Sequence, residues 1–258
     1  MNLNLLSLEY PYLNYFDMSQ LEENKNYYEQ LDYPSYSKEV SKTQSQFIAK
    51  VYTWMFVALC ITAAISTYVG NSDVMMNYLI NNKMIFIGIF LAQIFSVGYI
   101  SLRIERMSYT TMVVLFLLYA ALTGISLSSI FLIYTSASLA TVFGITAATF
   151  GVMSIVGYTT KTDLTSFGKI MMMGLIGIII GSVVNLFLGS SMMYYIITYV
   201  GVAVFVGLIA YDTQMIKSYA MLETQEMRKK AAIMGALSLY LDFINLFVLL
   251  LRLFGRRD

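Results

Sequence analysis

From residue 51 onward the chain alternates long apolar runs with short polar breaks, and the runs cover about 51–69, 84–102, 110–133, 138–158, 170–188, 194–214 and 233–253. At about 20 residues per crossing, each run is long enough to span the bilayer core as a helix. The breaks Thr135-Ser136-Ala137 and Gly189 to Met193 are so short that the helices they join must be antiparallel neighbours. No proline occurs after Pro34, so a kink has to come from glycine or from an inserted polar group. Gly174, Gly177 and Gly181 recur at helical spacing and are expected to let backbones approach closely. The pattern predicts an all-α polytopic membrane protein, a bundle of seven transmembrane helices over residues 51–258 behind a polar tail over residues 1–50.

That tail holds seven acids, four lysines, seven tyrosines and both prolines of the chain, Pro11 and Pro34. It lacks a basic start and a long apolar run, so it does not read as a cleavable signal peptide and is expected to be a cytoplasmic tail. Lys and Arg are retained on the cytoplasmic side of membrane proteins. With the N-terminus inside, 12 of them fall on the cytoplasmic side and four, Lys83, Arg252, Arg256 and Arg257, on the other. The three C-terminal arginines favour a re-entrant last segment. Its 21 residues nevertheless reach about 32 Å as a helix, enough to cross. Seven crossings are therefore expected, with the N-terminus and loop 215–232 cytoplasmic and Asp258 on the far side.

Composition sharpens this picture. Apolar residues make up 58% of the 258 and charged residues 12%, against roughly 25% charged in a soluble domain, which excludes a soluble globular protein. Residues 107–160 and 170–211 contain no charge over 54 and 42 residues. A formal net charge of +1 provides no basic field for nucleic acid, so the lipid bilayer is the expected partner. Histidine is absent, which removes the usual zinc sites, Ser-His triads and the histidine pH switch. The lone Cys60 cannot form an intrachain disulfide.

The chemistry concentrates in the last run, Ser238-Leu239-Tyr240-Leu241-Asp242-Phe243-Ile244-Asn245. An ionised Asp242 in mid-span costs roughly 2.5–3.5 kcal/mol on insertion scales. Ser238, Asp242 and Asn245 stand at i−4, i and i+3, so they share a helix face that is expected to look into the bundle. The sixth run supplies a second acid, Asp212, and consecutive antiparallel helices can bring Asp212 and Asp242 to similar depth. Two desolvated carboxylates then share a proton and titrate in two linked steps, a pH sensor without histidine. Arg103 and Arg106, at the end of the second run, are available as counter-ions.

At these residues the chain resembles the Bax-inhibitor-like, or transmembrane Bax inhibitor motif, membrane proteins. The resemblance covers about residues 45–255 and is most specific in Ala236 through Gly255. Weaker matches are Lys50-Val51-Tyr52-Thr53-Trp54-Met55, the arginine-bearing end of the second span, Leu122-Thr123-Gly124 and Tyr211-Asp212-Thr213-Gln214. It implies a seven-helix bundle with a central last helix, a calcium leak that responds to pH, an aspartate pair at Asp212 and Asp242, and a latch arginine. Two residues compete for the latch: counting back from Gly124 without a gap favours Arg106, whereas the Ser-Leu-Arg-Ile pattern favours Arg103.

The reading reached from the sequence is a calcium-permeable, pH-gated leak pathway, with no catalytic residues and no resident cofactor. Calcium prefers oxygen ligands, and Asp212, Asp242, Asn245 and Ser238 offer them. Two carboxylates make only a weak calcium site, which suits permeation. Periodicity and composition establish an ionisable bundle interior; the identity of the ion comes from the resemblance. The alternatives are a proton-coupled transporter and a regulator acting on a membrane-protein partner, such as a membrane protease or a cell-death-type pathway. The expected location is an integral multi-pass membrane protein, in the inner membrane if the source is bacterial.

Overall fold

The structure is a computed structural model and describes residues 33–256 except residue 105; expectations for residues 1–32 and for Arg257 and Asp258 lie outside the described residues. The chain divides into two units, residues 1–43 and 44–258. Helix α1 runs over Tyr33–Gly70, 38 residues without interruption, so the change from polar tail to apolar run at residue 50 falls inside a helix. Residues 38–50 contain neither Gly nor Pro, and once a helix is nucleated each further turn of such residues adds to it readily.

The remaining helices are α2 (Asp73–Asn81), α3 (Lys83–Arg103), α4 (Tyr109–Leu127, extended by a 3-10 turn Ser128–Leu132), α5 (Ser136–Thr159), α6 (Thr165–Leu188), α7 (Ser191–Tyr219) and α8 (Gln225–Phe254). All but α2 are long and apolar enough to cross a membrane, seven in total among the described residues. The expected all-α, seven-helix architecture is therefore the one observed. The predicted runs 51–69 and 84–102 leave residues 73–81 in the first loop. They form a surface helix whose Met76 and Leu79 are buried beside Val69 in a small separate cluster.

In a chain so poor in charge, hydroxyls start the helices. The side chains of Ser72, Ser108, Thr135, Ser190 and Thr224 accept the N–H of Met75, Thr111, Ser138, Met193 and Met227, at the starts of α2, α4, α5, α7 and α8. Each satisfies one of the amides that a helix start leaves unpaired. Gly189 ends α6 at φ 61°, the left-handed conformation that glycine adopts without a steric penalty. The tight connection between α6 and α7 depends on it.

Helix α8 is the centre of the bundle. Of its most apolar 18 residues 67% are buried, against 0% for α6. It packs against α7, α5 and α4. Its first half carries the buried small residues Ala231, Ala232, Gly235 and Ala236, and its second half the buried Phe243, Leu246, Phe247, Leu250 and Leu251. Neighbours can thus approach closely at one end and interdigitate at the other. By contrast α6 packs on α7 and leaves Ile176, Ile179, Ile180 and Val183 exposed, a face suited to lipid. Of its three spaced glycines, Gly174 faces Val204 and Gly181 faces Ile197, while a Cβ on Gly177 would meet open space. Gly177 therefore has no part in the expected close packing.

Candidate functional site

Asp212 is reached from α7 and Asp242 from α8, and both are nearly fully buried, 8% and 5% exposed. Their carboxyl groups are hydrogen-bonded to each other, and the Ser238 hydroxyl, one turn before Asp242, donates to Asp212. An ionised carboxylate only accepts hydrogen bonds, so a bond between two carboxyls requires a proton on one of them. Asp242 Oδ2 is buried without a hydrogen-bond partner. Such an orphan oxygen ordinarily costs about 1–3 kcal/mol, and chemically it is a free acceptor for a cation or a water. Among the described residues no three His, Cys, Asp or Glu side chains cluster to hold a metal. Asp212 and Asp242 thus amount at most to a two-carboxylate cation site.

Two expectations about the surroundings need correction. Asn245 does not look into the bundle: it is exposed, and its Nδ2 donates to Leu241 O at 2.8 Å. Three residues advance a helix by only 300°, which carries the side chain off the inward face. Its amide is then partly satisfied by its own backbone. Nor are Arg103 and Arg106 at the pair. Both are exposed, and among the described residues neither is ion-paired or hydrogen-bonded to Asp212 or Asp242. Arg103 instead lies 6.0 Å from the centre of the Tyr99 ring. An arginine at a helix end loses less by staying at the polar boundary than by being drawn into the bundle.

The segments around the pair explain the motif Tyr211-Asp212-Thr213-Gln214. Gly157 brings α5 against the backbone of Ala210, where a Cβ would collide, and Gly168 accommodates the Tyr211 ring in the same way. Gln214 clamps the connection between α5 and α6, accepting from Leu164 N and donating to Thr162 O, both at 2.8 Å. Lys217 Nζ donates to Tyr158 O at 3.1 Å, supplying a cation to the C-terminal end of α5, where the helix dipole favours one. In the same connection, outside the spans, hydrogen bonds from the Thr165 hydroxyl and amide hold the Asp163 carboxyl below its ordinary range.

A second polar network went unrecognised in the sequence. Tyr240, fully buried, places its hydroxyl 2.6 Å from Thr62 Oγ1, which donates to Ala120 O at 2.8 Å. On α4, Thr123 accepts from Gln93 Nε2 of α3 at 3.0 Å. Gly124 makes this possible, since a Cβ there would meet Thr62 O at 2.9 Å; Leu122-Thr123-Gly124 is thus the close crossing of α1 and α4. The residues gave little warning, because a helical threonine usually bonds its own preceding turn, as Thr123 does to Tyr119 O.

Comparison with known proteins agrees with this architecture. Residues 44–258 match the family described as "Inhibitor of apoptosis-promoting Bax1". The chain is 48% identical over 214 residues to the "Inner membrane protein YbhL" of Escherichia coli K12, covering 82% of this chain and 92% of that protein. It is 45% identical to an uncharacterized protein of Borreliella burgdorferi, covering 83% and 93%, and 42% identical to one of Rickettsia prowazekii, covering 90% and 98%. With seven membrane-crossing helices, a central last helix and a family match over nearly all of the described bundle, the chain is an integral multi-pass membrane protein belonging to the Bax-inhibitor-like family.

Proposed function

We propose that the protein is a pH-sensitive, calcium-permeable leak pathway whose gate is the Asp212–Asp242 pair. The observation that supports this reading is the pair itself: two carboxyls from α7 and α8, hydrogen-bonded inside the bundle, with Asp242 Oδ2 left without a partner. With a proton between them the two acids fasten α8 to α7. Without it they repel each other, which loosens that contact, and they present up to four oxygens to a passing cation. Two carboxylates are too few for tight retention, as conduction requires. The likeness to an inner membrane protein of Escherichia coli accords with a place in the bacterial inner membrane.

The test is calcium flux into dye-loaded liposomes containing the purified protein, measured between about pH 5 and about pH 9, a window centred on the range reached by buried carboxyls. The expected result is a pH-dependent flux in wild type that loses its pH dependence in Asp242→Asn, with the variant still folded. Absence of wild-type flux at every pH removes the leak reading. Uptake that requires an imposed proton gradient would instead establish proton-coupled transport. A phenotype in cells that survives Asp242→Asn would point to regulation of a membrane-protein partner.

A further inference from the structure

Among the described residues, the buried side-chain oxygens without a hydrogen-bond partner are Asp242 Oδ2 and Ser154 Oγ. The second has no part in the aspartate pair. Ser154 is 7% exposed and stands one turn before Tyr158, near the end of α5. A hydroxyl inside a helix ordinarily donates to the carbonyl one turn back, and Thr141, Thr146, Thr149 and Thr159 of α5 do so at 2.7–2.9 Å. Ser154 does not, so its proton is uncommitted.

Ser154 forms part of the wall of a cavity of about 540 Å³ between α1 and α5, lined also by Ile48 and Tyr52 of the first helix and by Phe150, Gly151 and Tyr158 of the second. Among the described residues, no Lys, Arg, Asp or Glu lines it. A Cβ on Gly151 would meet nothing within 4 Å, in contrast to Gly157, so Gly151 holds no helix crossing together and its missing side chain leaves room in the cavity. Toward the bundle centre the Tyr52 and Phe150 rings meet edge-on, their centres 6.4 Å apart. At the side, Ile155 also lines the cavity and is 65% exposed, which opens it laterally to the bilayer. The apolar run of α1 begins at residue 51 and that of α5 ends at residue 158, so the cavity straddles the boundary between hydrocarbon and headgroups. Tyrosines such as Tyr52 and Tyr158 favour that boundary. Ser154 lies about 6 Å along the helix from residue 158, just inside the hydrocarbon edge.

We propose that this cavity binds one acyl chain of a membrane glycerolipid, with Ser154 Oγ donating to the ester carbonyl of that chain. The apolar walls take the chain, the open position at Gly151 gives it room, and the uncommitted hydroxyl supplies the donor that an ester oxygen accepts. Because no charge lines the wall, the cavity selects the ester and the chain rather than the headgroup. The site is separate from the acids, and the inference does not rest on the ion-pathway reading.

The test is competition between two lipids for the full-length protein in detergent, a diacyl phosphatidylethanolamine and its dialkyl ether analogue with the same chains, read by mass spectrometry of the intact complex. The ether keeps the headgroup and chains and lacks the carbonyl. Wild type is expected to retain a single lipid and to favour the ester by roughly three- to ten-fold, the worth of one hydrogen bond. Ser154→Ala should still retain lipid but bring ester and ether level, while its unfolding in lipid-free detergent is unchanged or improved, since the hydroxyl has no partner within the protein. Gly151→Leu fills the cavity and should lower retention by roughly ten-fold or more, the effect of forcing a side chain into occupied space. Gly177→Leu, at an equally open position on α6, should retain lipid as wild type does. Wild type without bound lipid, retention indifferent to Gly151→Leu, or dimers in place of lipid each overturn the site. Ester and ether bound equally by wild type, or a preference that survives Ser154→Ala, overturns the role of the hydroxyl. Should Gly151→Leu fail to fold, the ester preference and its loss in Ser154→Ala decide the matter alone.

Discussion

Tyr240 and Asp242 stand two residues apart on α8 and face opposite sides of it, the tyrosine hydroxyl 2.6 Å from Thr62 Oγ1 of α1 and the aspartate hydrogen-bonded to Asp212 of α7. Two residues advance a helix by roughly 200°, so one short segment is fastened to both flanks of the bundle. The two fastenings differ in kind. The Tyr240 contact joins neutral hydroxyls and is framed by edge-on packing of Phe116 and Tyr119 against the Tyr240 ring. The Asp242 contact depends on a proton. In the gating reading proposed above, a change at the acids would release α8 from α7 while α1 and α4 still hold it.

The neutral side should behave as a structural contact. Tyr240→Phe removes the hydroxyl and Thr62→Val removes its partner, and each is expected to cost about 0.5–1.5 kcal/mol, the usual worth of one hydrogen bond. In a double-mutant cycle the two losses should not add, since either change breaks the same bond. Reversible unfolding in mixed detergent measures this. The pH dependence of flux should be unaltered in Tyr240→Phe.

The acid side should respond to its hydroxyl neighbour and ignore the amide. Ser238→Ala deletes the donor to Asp212 and is expected to move the midpoint of the pH response by about one unit, the equivalent of 1.36 kcal/mol. Asn245→Leu replaces an exposed amide bonded to Leu241 O and should leave that midpoint where it is. A midpoint that moves with Asn245 and not with Ser238 would return the amide to the ion path.

The helical architecture was legible because it rests on a one-dimensional signal, and a signal of the same kind drew attention to Asp212 and Asp242. Twenty apolar residues between charges mark a span, and an aspartate within such a span must find a partner. Asn245 was misread because i+3 spacing leaves a residue 60° off the reference face, enough to carry it from the interior to the surface. The arginines were misread because charge complementarity in sequence does not weigh the cost of drawing a guanidinium from the polar boundary into the bundle. The Tyr240 network and the Gln214 clamp left no periodic trace at all. Each depends on a glycine at a helix crossing, Gly124 or Gly157, whose neighbour is far away in the chain.

Those crossings can be tested against an internal control. A Cβ on Gly157 would collide with the Ala210 backbone, which cannot yield as a flexible side chain can, whereas on Gly177 it would meet nothing. Gly157→Ala is expected to destabilise the bundle by about 1–3 kcal/mol or more and to displace Asp212, two residues from Ala210. Gly177→Ala should be neutral or stabilising, since alanine is favoured over glycine in a helix by about 1 kcal/mol. Unfolding of the two variants under one set of conditions decides it.

The connection between α5 and α6 carries its own pH dependence. Hydrogen bonds from the Thr165 hydroxyl and amide lower the Asp163 carboxyl from its ordinary value of 3.8. A lowered carboxyl contributes stability that is complete above the unfolded value and is lost as pH falls through the folded one. Protection of the Thr165 amide from hydrogen exchange should therefore hold at neutral pH and fade only below about pH 4. Asp163→Ala should remove that protection at every pH. Asp163 is fully exposed, so global unfolding should be almost indifferent to the change.

Orientation in the membrane follows from the ends of the helices. Arg103, Lys161, Lys217 and Arg228 to Lys230 lie at one end of the spans, while Lys83 begins α3 and Arg252 closes α8 at the other. Because cytoplasmic segments retain Lys and Arg, the first end is expected inside. Helix α8 has 30 residues, about 45 Å at helical rise, more than the bilayer core requires, so its two ends should reach opposite faces. In a Cys60→Ala background, Glu223→Cys and Arg256→Cys place one thiol at each end of α8, both at exposed positions. An impermeant thiol reagent added to intact cells should label the cysteine at 256 and spare the one at 223. Labelling at 223 alone would invert the bundle, and protection at both would mean that the last helix turns back before crossing, against its length.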